Sequence, residues 1–503
     1  MTDQKPVPPS DVPATAPDLA ALAQEIETLR ADVAADAAVI FARWQGWIED
    51  AAFVPSARNF ADYLALRRRD LRALQHRMAA AGLSSLGRAE SRVMPTLHAV
   101  DRVLRAATGK PALEEAPMDF FAGEACIAAR AEALLGALSD HSDVRLMVTL
   151  PSVAADEPGF VTRLADLGVE GVRINCAHDD QAVWSRMIEH VDHAAQETGR
   201  RMKVMMDLPG PKIRTGDSRS RKGQKRLFTG DDLAITHAGR LDDAARKVAA
   251  IECTLSEALA GAEVGHRIYL DDGKLDTLVT RVEDWGVVVQ IIAGPGEKGY
   301  KLKPEKGVNF PDSEVRVPAL TDEDREILGF MALHADGIEF SFVQTPEDVA
   351  DLQDALAREV PDRWRQIGLV LKIETQTAVR NLPDMLVRAA GRQPTAIMIA
   401  RGDLAVEIGF ARLAEIQEEI LWLCEAAQVP VIWATQVMEG MLKTGVPSRG
   451  EMTDAAMAAR AECVMLNKGP FLFEGIEVLD RLFGRMRGHL SKKSHQLRPL
   501  KSW

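Results

Sequence analysis

Three short segments, spaced about thirty residues apart, carry the side chains best suited to chemistry: Leu371-Lys372-Ile373-Glu374, Ala400-Arg401-Gly402-Asp403 and Ala434-Thr435-Gln436. Each follows an apolar run, Ile367-Gly368-Leu369-Val370, Ala396-Ile397-Met398-Ile399 and Val429-Pro430-Val431-Ile432-Trp433. Such runs read as buried parallel strands, and an α/β barrel places its reactive groups at their C-terminal ends. One lysine, two carboxylates and one hydroxyl thus emerge on one face of one sheet. Carboxylate oxygens are hard ligands, so Glu374 and Asp403 suit Mg²⁺ or Mn²⁺, and the ammonium beside them suits an oxyanion.

The elements that must position these groups are legible in the rest of the chain. Its 503 residues, 47% hydrophobic and 27% charged, describe a globular protein long enough for two or three domains. A formal net charge of −13 without a basic stripe argues against a nucleic-acid partner. No apolar stretch has the length of a membrane span, and the polar, Pro-rich start is not a signal peptide. Five scattered cysteines with no CxxC pair point to reduced thiols in a cytoplasmic protein.

Residues 1–17 read as a disordered leader. Residues 18–140 read as all-helical, with Phe60, Leu64, Leu71, Leu74 and Met78 at helical spacing and breaks near Pro55 and Gly82–Gly87. The Arg67-Arg68-Arg69 run there is expected to be a solvated helix face. From residue 141 strands and helices alternate, with buried-strand candidates at 145–150, 171–175, 203–207, 336–342, 367–373, 396–400, 429–434 and 462–466. Helix starts follow, such as Thr321 with Asp324 and Thr345-Pro346-Glu347. The expected fold is a (β/α)₈ TIM barrel in two parts, 141–216 and 317–488. The intervening 217–316 reads as a small all-β lid inserted after strand 3, and 489–503 as a solvated basic tail containing Lys492, Lys493, Arg498 and Lys501.

From Arg145 to about Met486 the sequence resembles the pyruvate kinase family. The segments that carry the resemblance, besides the three above, are Met206-Asp207-Leu208-Pro209-Gly210-Pro211-Lys212-Ile213-Arg214-Thr215-Gly216, Tyr269-Leu270-Asp271-Asp272-Gly273 and Lys306-Gly307-Val308-Asn309. The resemblance implies Mg²⁺-dependent phosphoryl transfer from phosphoenolpyruvate to ADP, giving pyruvate and ATP in glycolysis. It implies that Lys372 faces the enolate, that Thr435 ends a proton relay, and that Arg173 and Arg214 reach phosphate. Ala400, Gly402, Asp403 and Thr435 would contact substrate. Asn175, His178, Arg214 and Lys306 would contact nucleotide or phosphate. A homo-oligomer is also implied, with no nucleic-acid or membrane partner.

The chain departs from the family pattern in ways that bear on function. Leu208 and Ala177 stand where the family has hydroxyls, and Lys212 stands where it has a glutamate. Together with Asp207 these positions mark the family's potassium site, and the Leu/Lys pairing resembles that of potassium-independent members. Asn467-Lys468-Gly469-Pro470 and Thr149-Leu150-Pro151-Ser152 also differ from the usual loops. The family's C-terminal domain is expected to be absent, and the helical N-terminal region has no counterpart. Two alternatives stay open: a metal-dependent lyase or aldolase acting on pyruvate enolate, and a non-catalytic phosphoenolpyruvate-binding regulator.

Overall fold

The computed structural model describes residues 18–111, 119–139, 142–221, 225–244, 247–313, 315, 317–492 and 494–495. The expected leader therefore lies outside the described residues. The chain divides into two compact units. One runs through Gly46 and includes Ala52–Cys126 with Glu425–Gln428; the other holds the remainder.

The first unit is helical, built on α1 (Leu19–Trp44), α2 (Val54–Arg67), α3 (Arg72–Ala80) and α4 (Val93–Thr108). The apolar stripe is its core: Phe60, Met78 and Leu97 have no solvent exposure, and Trp44 stacks on Phe60 with ring centroids 5.5 Å apart. The expected break near Pro55 is present: α1 ends at Trp44, and Pro55 opens α2, where a proline in the first turn lacks only an N–H that has no helical partner. The arginine run is not merely solvated. Arg67 donates to the Tyr63 hydroxyl at 2.5 Å, and Arg69 pairs with Asp36 at 2.7 Å.

Starting in the first unit, α5 (Ala122–Leu135) carries the chain into the second, which holds a closed barrel of eight parallel strands. These are β1 (Arg145–Thr149), β2 (Gly171–Asn175), β3 (Lys203–Asp207) and, after the lid strands, β11 (Gly337–Phe340), β12 (Gly368–Ile373), β13 (Thr395–Ala400), β14 (Val431–Ala434) and β15 (Cys463–Leu466). All eight fall on the expected segments. β1 closes against β15, and Met147, Met205, Val370, Met398 and Ile432 form one interior cluster.

The helices return the chain between strands: α6 (Pro158–Asp166), α7 (Gln181–Thr198), α8 (Asp322–His334), α9 (Pro346–Glu359), α10 (Gln376–Ala390), α11 (Arg401–Ile408), α12 (Phe410–Ala427), α13 (Glu439–Thr444), α14 (Arg449–Ala458) and α15 (Leu472–Met486). Thr321 and Thr345 both close full capping boxes, with Asp324 and Asp348.

The lid follows β3 as a seven-stranded sheet in the order β10-β7-β8-β9-β5-β6-β4. Its strands are β4 (Thr215–Arg219), β5 (Asp232–His237), β6 (Ala249–Cys253), β7 (Arg267–Leu270), β8 (Leu275–Glu283), β9 (Gly286–Ala293) and β10 (Val308–Asn309). It has its own core, with Leu233, Ile268, Leu275 and Val289 fully buried. Its two connections to the barrel pair with each other: Thr215 N–H donates to Lys306 O at 2.7 Å and Val308 N–H to Ile213 O at 3.0 Å.

The tail departs from expectation. Leu490–Ser491 pairs with Ser494–His495, and Lys492 forms an ion pair with Glu462 instead of standing free in solvent. Lys493, Arg498 and Lys501 lie outside the described residues. All five cysteines are free thiols. Among the described residues no helix is long and apolar enough to cross a membrane.

Candidate active site

The barrel's C-terminal mouth gathers a chain of buried charges. Lys372, at the end of β12, donates to Ser341 Oγ at 2.7 Å and Asp207 Oδ1 at 3.1 Å, and pairs with Glu374 Oε1 at 3.2 Å. Asp207, at the end of β3, also receives Nη2 of Arg173 from β2. Arg173 extends the chain to Glu339 Oε2 at 2.9 Å and Thr149 Oγ1 at 3.2 Å. Lys372 and Arg173 are each 8% exposed, Asp207 is 3% and Glu339 is 0%.

Burial alone would pull the Lys372 ammonium down, but the Asp207 and Glu374 carboxylates outweigh it and hold the pKa above the usual lysine range. Burial likewise opposes the Asp207 carboxylate, and Arg173 with Lys372 nevertheless keeps it below the ordinary range. Glu339 goes the other way. Burial, with the Asp207 charge adding and Arg173 opposing, pushes its carboxyl up to about 7.

Glu374 is raised by burial, against which Lys372 acts, with the negative charge of Asp403 adding to the rise. Its Oε2 accepts the Phe342 N–H at 2.6 Å. Asp403 sits in the first turn of α11, and its Oδ1 receives the Lys212 ammonium at 3.0 Å. Two mutually repelling carboxylates at the mouth of a barrel fit a divalent cation. Among the described residues no group of three or more His, Cys, Asp or Glu could hold a metal, so any such ion would complete its shell with water and substrate. Mg²⁺ is commonly held in this way, by one or two carboxylates with several retained waters.

Thr435 occupies a strained turn. Its φ is +59°, and Gln436 and Met438 follow at +54° and +49°. A β-branched residue resists this region, so the conformation must be imposed. Arg401 imposes it, donating to Ala434 O at 3.1 Å and Thr435 O at 2.7 Å while Asp454 anchors its other end. Thr435 Oγ1 accepts the Gly402 N–H at 2.7 Å, which leaves its own hydroxyl proton to be donated elsewhere. Ala400 ends β13 and turns the chain into α11, bringing Gly402 and Asp403 to this point.

Gly210 lets the segment after β3 pass close to the same mouth. Its φ is +65°, and a Cβ there would lie 3.0 Å from that of Ser341. Beyond it, Lys212 and Asp403 line a cleft of about 400 Å³ between lid and barrel, with Phe342, Arg380 and Glu407 on the same walls. Asn309 of the lid donates to Glu407 at 3.1 Å. Burial, opposed by that hydrogen bond and reinforced by Asp403, pushes the Glu407 carboxyl up to about 7.

The remaining sequence-predicted residues are held more loosely. Lys306 pairs with Asp271 at 3.6 Å, and Arg214 lies 3.9 Å from Glu305. Asn175 turns its side chain back to the Ala177 N–H at 3.1 Å, and His178 is exposed. Of the four positions associated with potassium, Asp207 is committed to Arg173 and Lys372, Leu208 is fully buried, and Ala177 is exposed. Lys212 reaches Asp403 and not those three. Glu339, Ser341, Arg401 and Asp454 were not among the expected site residues. A glutamate and a serine among the apolar residues that follow Asp336 in the strand candidate 336–342 are the signal that could have marked the first two.

Comparison with known proteins bears on the same region. Residues 143–470 match the family described as "Pyruvate kinase, barrel domain". A pyruvate kinase of Mycobacterium intracellulare is 32% identical over 328 residues, which cover 64% of this chain and 65% of that protein. One of Methylorubrum extorquens is 31% identical over 65% of this chain and 66% of its own. One of Clostridium perfringens is 28% identical over 69% and 71%. The chain thus spans just under two thirds of the length of the first two relatives.

Proposed function

The chain belongs to the pyruvate kinase family, and on that premise we propose that it transfers the phosphoryl group of phosphoenolpyruvate to ADP, yielding pyruvate and ATP. The observation that carries this reading is the buried Lys372–Asp207–Arg173 chain, 2 cations tied through one carboxylate beside Glu374 and Asp403. Such fixed charges stabilise an anionic transition state without reorganising.

In this mechanism Arg173 holds the phosphoryl group with the guanidinium N–H groups not already committed to protein. Lys372 places positive charge where the enolate develops. Thr435, fixed by Gly402 and by the Arg401 clamp, presents a hydroxyl proton toward the enolate carbon. Ala400, Gly402 and Asp403 bound the substrate from α11. Glu374 and Asp403 would hold Mg²⁺ or Mn²⁺, which when bound supplies charge neutralisation for the phosphoryl and carboxylate oxygens. Lys306 and Arg214 at the root of the lid, with Asn175 and His178 after β2, receive the nucleotide phosphates. The reading carries with it a cytoplasmic, homo-oligomeric enzyme of glycolysis.

Potassium independence belongs to the same proposal. The Lys212 ammonium, 3.0 Å from Asp403 Oδ1, supplies tethered positive charge beside the substrate, and Leu208 and Ala177 offer no hydroxyl oxygen. Turnover is expected to be indifferent to replacing K⁺ with tetramethylammonium at constant ionic strength, a control needed because salt also screens phosphate binding.

A coupled assay for pyruvate, with ADP and Mg²⁺ each present or withheld, tests the main reading. Pyruvate release that depends on both is expected. Pyruvate formed without ADP would point to a lyase, and phosphoenolpyruvate binding without turnover to a regulator.

A further inference from the structure

We propose that Glu339 is a positioning residue for phosphate recognition, fixing the guanidinium plane of Arg173 so that its unused N–H groups face the phosphoryl oxygens. The proposal rests on the phosphotransferase reading and deepens it.

All 3 nitrogens of Arg173 are anchored, Nε by Glu339 at 2.9 Å, Nη1 by Thr149 at 3.2 Å and Nη2 by Asp207. A guanidinium carries five N–H groups, so about two remain, both on the terminal nitrogens. Thr149 and Asp207 hold the fork end, and either could let the group pivot. The Nε bond to Glu339 stops that pivot from the other side. The three contacts come from three strands, β1, β3 and β11, so the barrel itself defines the plane.

The chemistry of Glu339 has no competing use. It lies directly across from Asp207 in the register of β11 and β3, and is wholly buried. Only Oε2 is engaged; Oε1 is buried without a hydrogen-bond partner among the described residues. A buried carboxylate with one oxygen left without a partner is costly. An apolar residue of similar size would avoid that cost but would leave the buried Arg173 Nε–H without its partner, so the role of Glu339 lies in the contact it makes with Arg173.

Charge and geometry predict opposite outcomes on removing it. As a negative charge near an anion site, Glu339 weakens anion binding, so its loss would tighten binding of every anion. As a positioning group, its loss weakens only ligands that use Arg173.

The test is calorimetric titration of the full chain with phospholactate, which carries a phosphate, and oxalate, which does not, each with Mg²⁺. Glu339→Ala is expected to weaken phospholactate by about 10–100-fold, the range for supporting groups around a site, and to leave oxalate within about twofold. Glu339→Gln keeps an oxygen for Nε and is expected to stay within about threefold of the unaltered chain for both ligands. Equal loss of both ligands, or phospholactate bound as tightly or more tightly by Glu339→Ala, overturns the proposal. Should Glu339→Ala not fold, the isosteric Glu339→Gln still decides, because markedly tighter binding of both anions would show that only the charge matters. An unaltered chain that binds oxalate but not phospholactate would overturn the phosphotransferase reading itself, and this proposal with it.

Discussion

The two halves of the proposed site are built to different standards. On the barrel side, the Lys372 side chain is 10% exposed and is held by three oxygens at 2.7–3.2 Å. On the lid side, the Lys306 side chain is 34% exposed, and among the described residues its carboxylate partner lies 3.6 Å away. Paired buried charges cannot move without a large desolvation penalty, whereas a half-exposed lysine is screened and free to turn. On the proposed function, the barrel half is preorganised for charge that develops during reaction, and the lid half adapts to a ligand that must enter and leave.

Variants on the barrel side should sharpen that contrast most. Asp403→Ala removes one of two carboxylates proposed for the metal, and turnover should vanish together with saturable Mn²⁺ binding by electron paramagnetic resonance. Unchanged Mn²⁺ titration would remove Asp403 from the site. Lys372→Met keeps the side-chain volume and deletes the charge; kcat should fall by about 10²–10³ with a smaller change in KM. A variant within a few-fold of the unaltered chain would reduce Lys372 to a partner for Asp207 and Glu374.

Lid-side changes should cost less and act differently. Lys306→Ala is expected to raise the KM for ADP by about tenfold, the low end for a charged hydrogen bond, with little change in kcat. A collapse of kcat comparable to that of Lys372→Met would break the comparison.

The smallest expected effect is on stability at the seam between the halves. The folded protein holds the Glu407 proton up to about pH 7, above the ordinary glutamate value of 4.5. The native state then binds more protons than the unfolded chain between those values, so stability falls as pH rises through that window. Glu407→Gln keeps an oxygen for Asn309 and should remove this part of the slope. Its Tm relative to the unaltered chain should rise by a few degrees from pH 5 to pH 7.5. A constant difference across that range would mean that Glu407 is ionised throughout.

The sequence foretold some of this architecture and was silent on the rest for a physical reason. Buried parallel strands announce themselves as apolar runs, so all eight barrel strands were legible, and the antiparallel lid strands β7, β8 and β9 showed as short alternating segments between turn signals. Lys372, Glu374, Asp403 and Thr435 were legible because each directly follows such a run. What failed to appear was pairing between strands distant in the chain. Nothing local says that Glu339 meets Arg173, 166 residues away, or that Lys212 meets Asp403, 191 residues away. The break near Pro55 was legible because a proline is excluded from a helix interior but favoured in a first turn, and α1 and α2 do part just before it. Lys492 was misjudged because basic composition does not reveal a carboxylate partner such as Glu462.

The division of labour between the two halves can be tested without phosphoryl transfer, by following exchange of the pyruvate methyl protons into deuterated buffer by NMR, with Mg²⁺ and inorganic phosphate present and no nucleotide. Enolate formation uses the barrel groups alone, so exchange should persist in Lys306→Ala and fall by about 10²–10³ in Lys372→Met. Exchange that survives Lys372→Met, or that is lost with Lys306→Ala, would contradict the account.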